Sequence, residues 1–229
     1  MIPSCPRPPE VELSARIGAY RFIRADRSVE GQTAEMSQRE SPPTTVAVVF
    51  AAGAGTRFDG PIHKLAATLG GRALVSISVE TALRAGIGPV VVVRGDDALP
   101  ELPDAADVVH NHRWAEGQMT SVQRGIEAAR GHDANAVVIG LADQPFVSVD
   151  AWRAVAASDA PIAVATYDGR RGNPVRLDTS VWPLLAEHGD EGARGLMRVR
   201  PELVEPVPCA GSAADIDTLE DLERWQNNS

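Results

Sequence analysis

The sequence predicts a three-layer α/β fold, with a mainly parallel sheet between two layers of helices. Three observations carry that expectation. Short, continuous apolar runs rich in Val and Ile recur along the chain, as in strands buried on both faces. Stretches with helical spacing separate them, so that successive strands join by crossovers. The composition, 229 residues of which 44% are hydrophobic and 23% charged, suits one globular α/β unit and lacks the apolar depletion of a disordered chain.

Residues 1–44 stand apart. They carry Pro3, Pro6, Pro8, Pro9, Pro42 and Pro43, scattered charges, and no sustained period of 2 or 3.6. Ile17 to Ile23 has the makings of a short element, but nothing nearby completes it. The segment is expected to be a disordered extension, or the natural start lies at Met36, and residues 45–229 are expected to form a single domain. Val46–Phe50 is the first strand, apolar and β-branched throughout. Ala51-Ala52-Gly53-Ala54-Gly55-Thr56-Arg57 follows as a glycine-rich turn. A helix from about Ala73 to Ala85 is expected to turn Leu74, Ile77, Thr81 and Ala85 to one side, with Gly86 beyond its end. Val90–Val93 and Ala106–Val109 are the next strands. Met119–Ala129 reads as a helix with the stripe Met119, Val122, Ile126 and Ala129. Ala136–Ile139 is a fourth strand, running into Gly140-Leu141-Ala142-Asp143-Gln144-Pro145. A helix over Asp150–Ala157 and a fifth strand over Ile162–Ala165 complete the regular part. Beyond Tyr167, Gly169–Pro174 reads as a turn-rich connection before helices rich in Leu and Trp. Thr218 with Asp221 makes a capping box, Asp replacing Glu, that opens a last helix through Trp225.

Charge and composition exclude several function classes. The formal net charge of −9 gives no general attraction for nucleic acid or an anionic membrane. No apolar run approaches the roughly 18 residues of a membrane helix, and the N-terminus lacks the apolar core of a signal peptide. Cys5 and Cys209 are too few and too far apart for a disulfide framework or zinc site. A cytoplasmic protein is expected. Any anionic ligand must be held by a local cluster of donors.

That cluster has a conspicuous member. Of 22 basic residues one alone, Lys64, is lysine. A chain that writes Arg wherever a charge or solvated stem is wanted has a reason for a compact ammonium here, unless codon bias left an accidental survivor. Ligands in open α/β sheets sit beyond the carboxyl ends of the strands, and the first such end is the glycine-rich turn. Its glycines allow close backbone approach and its N–H groups can cradle an anion. It is neither an ATPase phosphate loop nor a full dinucleotide fingerprint. With Arg57 and Lys64 it becomes a candidate polyphosphate site; a structural βα turn with exposed cations is the alternative. Asp143, just past a strand and followed by Pro145, is a candidate Mg²⁺ ligand, because a hard cation takes one or two carboxylates plus phosphate oxygens; a turn-capping Asp is the alternative. Asp215 and Asp217 lie on one side of an extended segment and offer a second carboxylate, although Asp217 also sits where it would stabilise a helix N-terminus.

Taken in order, Ala51–Arg57 with Lys64, Gly117-Gln118-Met119-Thr120-Ser121-Val122, Asp143-Gln144-Pro145, Arg171-Gly172-Asn173-Pro174-Val175, Gly189-Asp190-Glu191-Gly192-Ala193-Arg194 and Asp215-Ile216-Asp217-Thr218 resemble the MobA/MocA-type nucleotidyltransferases. The likeness spans about Val46 to Trp225 and is nearest to the molybdenum cofactor cytidylyltransferases. It implies a Rossmann-like nucleotide-diphospho-sugar transferase fold and transfer of CMP from CTP to the phosphate of a molybdopterin-type cofactor, with Mg²⁺ present, pyrophosphate released and a molybdoenzyme as possible recipient. Residue by residue, it implies that Ala51, Ala52, Gly53, Ala54, Gly55, Thr56 and Arg57 hold the triphosphate, and that Lys64 reaches its phosphates. Thr120 and Ser121 would meet base or ribose, Asp143 and Asp217 would hold Mg²⁺, and Arg171, Gly172, Asn173, Pro174, Asp190 and Arg194 would face the acceptor. The double Ala before Gly53 resembles the cytidylyl branch. Two departures stand out: the spacing from Arg57 to Lys64 is slightly longer than in the family, and Asn173 replaces the usual His of that branch.

The chemistry asks for little else. A phosphate-monoester acceptor is mostly ionised at neutral pH, with a second pKa of about 6, so no His need act as base. Alignment of two polyanions and neutralisation of charge suffice. His110 and His112 are expected to be structural or solvent-facing rather than metal ligands, Cys209 an inert residue near the core, and Glu220–Glu223 a solvated helix face. Two other readings stay open: nucleotide transfer with GTP or another acceptor such as a phospholactate or sugar phosphate, and a non-catalytic module that binds a cofactor and passes it on.

Overall fold

The computed structural model describes residues 44–53, 55–59, 62–95 and 99–227. The expected extension, Met36 and Ala54 lie outside the described residues. Among the described residues, fourteen strands and α-helices run in chain order: β1 (Thr44–Ala51), β2 (Thr68–Leu69), β3 (Arg72–Ala73), α1 (Leu74–Ala85), β4 (Val90–Arg94), β5 (Ala106–His110), α2 (Gln118–Arg130), β6 (Ala134–Leu141), α3 (Val149–Ala156), β7 (Ile162–Tyr167), β8 (Arg170–Asp178), α4 (Arg194–Val199), β9 (Val204–Pro208) and α5 (Leu219–Asn227). Seven of the strands form one sheet in the order β5-β4-β1-β6-β8-β7-β9, and β2 and β3 make a small hairpin. Neighbours pair in parallel except where β8 runs against β6 and β7.

Alternation along β1 explains the layering. Val46, Val48 and Phe50 pack with Met119, Val122 and Ile126 of α2. Ala47, Val49 and Ala51 pack with Val75, Val79 and Ala82 of α1 and with Trp152 and Val155 of α3. A strand sandwiched this way has no solvent face, hence its continuous apolar sequence. The α2 stripe is buried as expected. In α1 the buried face is Leu74, Val75, Ser78, Val79, Ala82 and Ala85, while Ile77 and Thr81 are only partly covered. The helix is rotated so that Ser78 is buried, its hydroxyl donating to Ala142 O at 3.1 Å. Gly86, at φ 63°, ends α1 in the left-handed conformation that glycine tolerates best. Gly140 of β6 is required by packing: a Cβ there would lie 2.8 Å from Cη2 of Trp152.

The second half departs from expectation. Gly169–Pro174 is not a loose connection: Gly169 ends a tight turn, and Arg170–Pro174 is the start of β8. Asp168 and Gly169 both have positive φ, 49° and 77°, as in the type I′ turn of a tight hairpin, and they fold β8 back on β7. The β7–β8 register shifts between Val164↔Val175 and Thr166↔Arg171, so Gly172, Asn173 and Pro174 bulge from the ladder. The expected Leu- and Trp-rich helices reduce to a 3₁₀ segment over Thr179–Leu184 and the short α4. Strand β9, with Pro206 and Pro208, closes one edge of the sheet, where missing N–H donors are tolerated. The capping box forms: Asp221 N donates to Thr218 Oγ1 at 3.1 Å, and Thr218 N donates to Asp221 Oδ2 at 3.1 Å.

Candidate active site

The chain moves from β1 outward through β4 to β5, then crosses back to place β6 on the other side of β1. The carboxyl ends of β1 and β6 therefore flank the point where strand order reverses, the usual ligand crevice of such sheets. Ala51 and Ala52 leave β1 buried, Gly53 and Thr56 are exposed, and Gly55 turns at φ 59°. Beyond β6, the Asp143 carbonyl accepts a hydrogen bond from Ile216 N at 3.0 Å. That bond, with the complete burial of Ile216, brings the distant segment 213–217 to the end of β6.

Lys64 opens a 3₁₀ turn, Lys64–Ala66, whose N-terminus is capped by His63: Leu65 N donates to His63 Nδ1 at 3.3 Å. The other ring nitrogen of His63 lies 3.3 Å from Gly53 O, so this side chain braces the glycine turn as well. Lys64 is only 8% exposed. Its Nζ lies 2.6 Å from Asp143 Oδ2 and 2.9 Å from Asp217 Oδ1. The exposed Arg57 guanidinium lies 2.8 Å from Asp217 Oδ2. Burial opposes charge on Lys64, but the charge and hydrogen bond of Asp143, joined by those of Asp217, hold its pKa above the ordinary lysine value. The lone amine, the guanidinium and both carboxylates thus converge on one spot. The fourth carboxylate oxygen, Asp143 Oδ1, is buried with no hydrogen-bond partner among the described residues.

Asp215 takes different partners. Gln144, 5% exposed, donates from Nε2 to Asp215 Oδ1 at 2.6 Å and to Ala213 O at 3.1 Å, and its Oε1 accepts from Asn173 Nδ2 at 3.1 Å. Tyr167 OH in turn donates to Asn173 O at 2.8 Å. Burial pushes the Asp215 carboxyl above the usual range, the Gln144 hydrogen bond pulls it back, and the charges of Asp143 and Asp217 push the same way as burial. The chain Tyr167–Asn173–Gln144–Asp215 joins β7, β8, the end of β6 and the 213–217 segment. The sequence offered Gln144 only as the middle of Asp-Gln-Pro, and gave no signal for Tyr167 or His63.

Two clefts adjoin this centre and share Phe50, Gln118 and Leu141. One, of about 350 Å³, is lined by Ala52, Gly53, Gly117, Ser121, Asp143 and Asp190 among others. The second, of about 310 Å³, has Arg171, Gly172, Asn173 and Arg194 around a largely apolar floor. Asp190 therefore belongs to the first cleft, not beside Arg194, and Pro174 lines neither. Ser121 reaches the first cleft, whereas Thr120 does not: its hydroxyl lies 2.9 Å from both Arg113 O and Gly117 O and holds the turn before α2. Buried Asn111, missed by sequence reasoning, donates to Thr120 Oγ1 and Ser121 Oγ at 3.0 and 3.1 Å and so positions both.

Among the described residues no group of three or more His, Cys, Asp or Glu is spaced to hold a metal. Asp143 and Asp217 make a pair of carboxylates, a donor set that suits Mg²⁺ when phosphates complete the shell. The orphaned Asp143 Oδ1 fits that use, since a buried carboxylate oxygen without a donor is costly unless a cation reaches it. His110 and His112 contact each other edge to face, with ring nitrogens 3.1 Å apart. Cys209 is partly buried against the core, and burial pushes its thiol pKa up, as in an unreactive cysteine. No helix among the described residues is long and apolar enough to cross a membrane.

Comparison with known proteins agrees with this geometry. Residues 47–207 match the MobA-like NTP transferase domain. The chain is 34% identical over 200 residues to the nicotine blue oxidoreductase of Paenarthrobacter nicotinovorans, covering 80% of this chain and 96% of that protein. It is 32% identical over 197 residues to the purine catabolism protein PucB of Bacillus subtilis, covering 79% and 95%. Among solved structures, the homologue of Mycobacterium tuberculosis Rv0371c from Mycobacterium sp. strain JC1 superposes with a TM-score of 0.69 at 28% identity, covering 80% of this chain and 96% of that one. The architecture is that of the nucleotide-diphospho-sugar transferases, and the chain belongs to the MobA-like NTP transferase family.

Proposed function

We propose that the protein is a Mg²⁺-dependent nucleotidyltransferase that transfers CMP from CTP to the phosphate of a molybdopterin-type cofactor. The observation that carries this reading is the cluster of Lys64, Arg57, Asp143 and Asp217 at the strand-order reversal, flanked by two clefts. The cleft beside Gly53 and Ser121 suits the nucleotide, and the one beside Arg171, Asn173 and Arg194 suits the acceptor. An acceptor phosphate oxygen attacks the α-phosphorus; the bond to the β-phosphate oxygen breaks, and its electron pair leaves with pyrophosphate. No side chain has to remove a proton. Backbone N–H groups of the 51–57 turn orient the triphosphate, and Arg57 and Lys64 neutralise charge that grows on the departing oxygens. Asp143 and Asp217 are the residues that would hold Mg²⁺, which when bound supplies charge neutralisation on the phosphates. A molybdoenzyme is the recipient this reading implies.

The double Ala before Gly53 supports CTP, and Asn173, which stands where the branch usually has His, is the departure that bears on which molybdopterin-type acceptor is taken. A redox reading is favoured by the name of one relative, but the 53–57 turn lacks the dinucleotide fingerprint. The test is pyrophosphate release from CTP and acceptor with Mg²⁺. Lys64→Ala and Asp143→Ala are each expected to abolish it while the fold persists, and unchanged turnover in both would overturn the enzyme assignment. A thermal-shift panel of CTP, GTP, UTP, ATP and NADH separates the readings, since a ligand at 100 times its Kd adds about 2.7 kcal/mol.

A further inference from the structure

The expected place for Lys64 is on the phosphates of a bound nucleotide. In the structure its ammonium lies between the two acids proposed to hold the metal. Asp143 Oδ2 and Asp217 Oδ1 both face Lys64 Nζ, at 2.6 and 2.9 Å, and Asp217 Oδ2 faces Arg57 at 2.8 Å. Two carboxylates and two cations make a neutral cluster. A divalent cation that approaches it meets three oxygens already engaged and two positive charges at close range, while Asp143 Oδ1 has no hydrogen-bond partner among the described residues. Coulomb repulsion between cations sharing a poorly hydrated site opposes such entry. An incoming triphosphate reverses the balance, because it offers Lys64 and Arg57 new anionic partners and frees the acids.

We infer that Lys64 is an internal counter-ion that occupies the metal's place between Asp143 and Asp217 until a triphosphate draws it away, so that metal and nucleotide enter cooperatively. The inference rests on the proposed nucleotidyltransferase reading. The side chain is well suited to this exchange, since a compact ammonium on a flexible four-carbon stem can swing from carboxylate to phosphate, which a planar guanidinium fork does less readily. The backbone beneath it is fixed by the His63 cap and by Ala67 N donating to Lys64 O at 3.1 Å. The swing therefore needs only side-chain torsions. The device also accounts for a lone lysine in a chain that otherwise writes Arg. By linkage, a protein that resists metal without nucleotide also binds nucleotide better once metal is present.

The experiment measures Mn²⁺ binding to the nucleotide-free protein, by titration calorimetry or by electron paramagnetic resonance of free Mn²⁺, for wild type, Lys64→Met and Lys64→Arg. Lys64→Met removes the competitor and is expected to bind Mn²⁺ about tenfold or more tighter than wild type, within the usual 5–150-fold range of coupling between sites. Lys64→Arg keeps the charge and is expected to stay near wild type. The same Lys64→Met protein should fail to release pyrophosphate, so that tighter metal accompanies lost turnover. If Lys64→Met melts too low for titration, its melting temperature should rise more steeply with Mn²⁺ than that of wild type. Equal or weaker Mn²⁺ binding by Lys64→Met, in a wild type that turns over CTP, overturns the counter-ion role and leaves the enzymatic reading standing. No Mn²⁺ binding by any of the three proteins, with or without CTP, overturns both.

Discussion

Gln144→Leu tests whether the polar link behind the site is as important as its geometry suggests. Gln144 is 5% exposed and uses its whole amide: two donations, to Ala213 O and Asp215 Oδ1, and one acceptance, from Asn173 Nδ2. Leu retains most of the volume, so no large cavity opens, but all three bonds are lost. At about 1 kcal/mol for each neutral bond and somewhat more for the one to a carboxylate, the expected loss is about 2–4 kcal/mol. The loss should depend on pH. Asp215 already holds its proton more tightly than an ordinary aspartate, mainly through burial, and Gln144 moderates that. Without Gln144 the folded-state pKa rises further. A carboxyl whose pKa is raised on folding loses stability as pH climbs from its ordinary value through its folded one. The deficit of the variant should therefore be larger at pH 7 than near pH 4. Urea unfolding followed by the fluorescence of the buried Trp152 and Trp182 measures it at both. A deficit under about 0.5 kcal/mol, the scatter of ordinary surface changes, or one that grows on acidification, would refute the reasoning.

Two further outcomes are expected. Gly140→Ala should cost about 1–3 kcal/mol, because its new methyl meets the Trp152 ring across the β6–α3 interface; chemical denaturation reads the loss, and a neutral effect would show that α3 moves aside freely. While Asp143 and Asp217 are ionised, the ion pairs of Lys64 should stabilise the protein up to the ordinary lysine pKa of 10.5 and fade as pH rises through the higher folded value. The stability difference between wild type and Lys64→Met should thus be flat from pH 6 to 9 and shrink above about 10.5. A difference that disappears by pH 9 would place the ammonium outside its carboxylate pair.

Residues whose environment is set locally were legible in the sequence. Val46–Phe50 announced a strand with both faces covered, and the Thr218–Asp221 box announced the start of α5. Lys64 and Asp143 could be singled out because both follow a strand end at a short distance. Their mutual contact could not, since 79 residues separate them, and 153 separate Lys64 from Asp217. Strand β8 was missed because Gly172 and Pro174 argue against a regular strand, and a bulge is what accommodates them. Asp168-Gly169 was the readable sign of that hairpin. Strand β9 was hidden by its prolines, which only an edge position permits. The rotation of α1 about its axis was misjudged because Ser78, buried, donates to Ala142 O, so its burial follows from one hydrogen bond rather than hydrophobicity.

The reversed direction of β8 has a consequence for how such a scaffold changes its preferences. Every parallel strand delivers its last residues to the rim and must leave by a loop, so a new ligand there calls for loop remodelling. β8 enters at that rim and presents Arg171, Gly172 and Asn173 before descending into the sheet. This wall of the second cleft is therefore a bulge held at both ends by ladder pairs, Arg171 with Thr166 and Val175 with Val164. Exchange of one side chain on it can redraw what the pocket admits while chain length, turn type and hydrophobic interior all stay as they were.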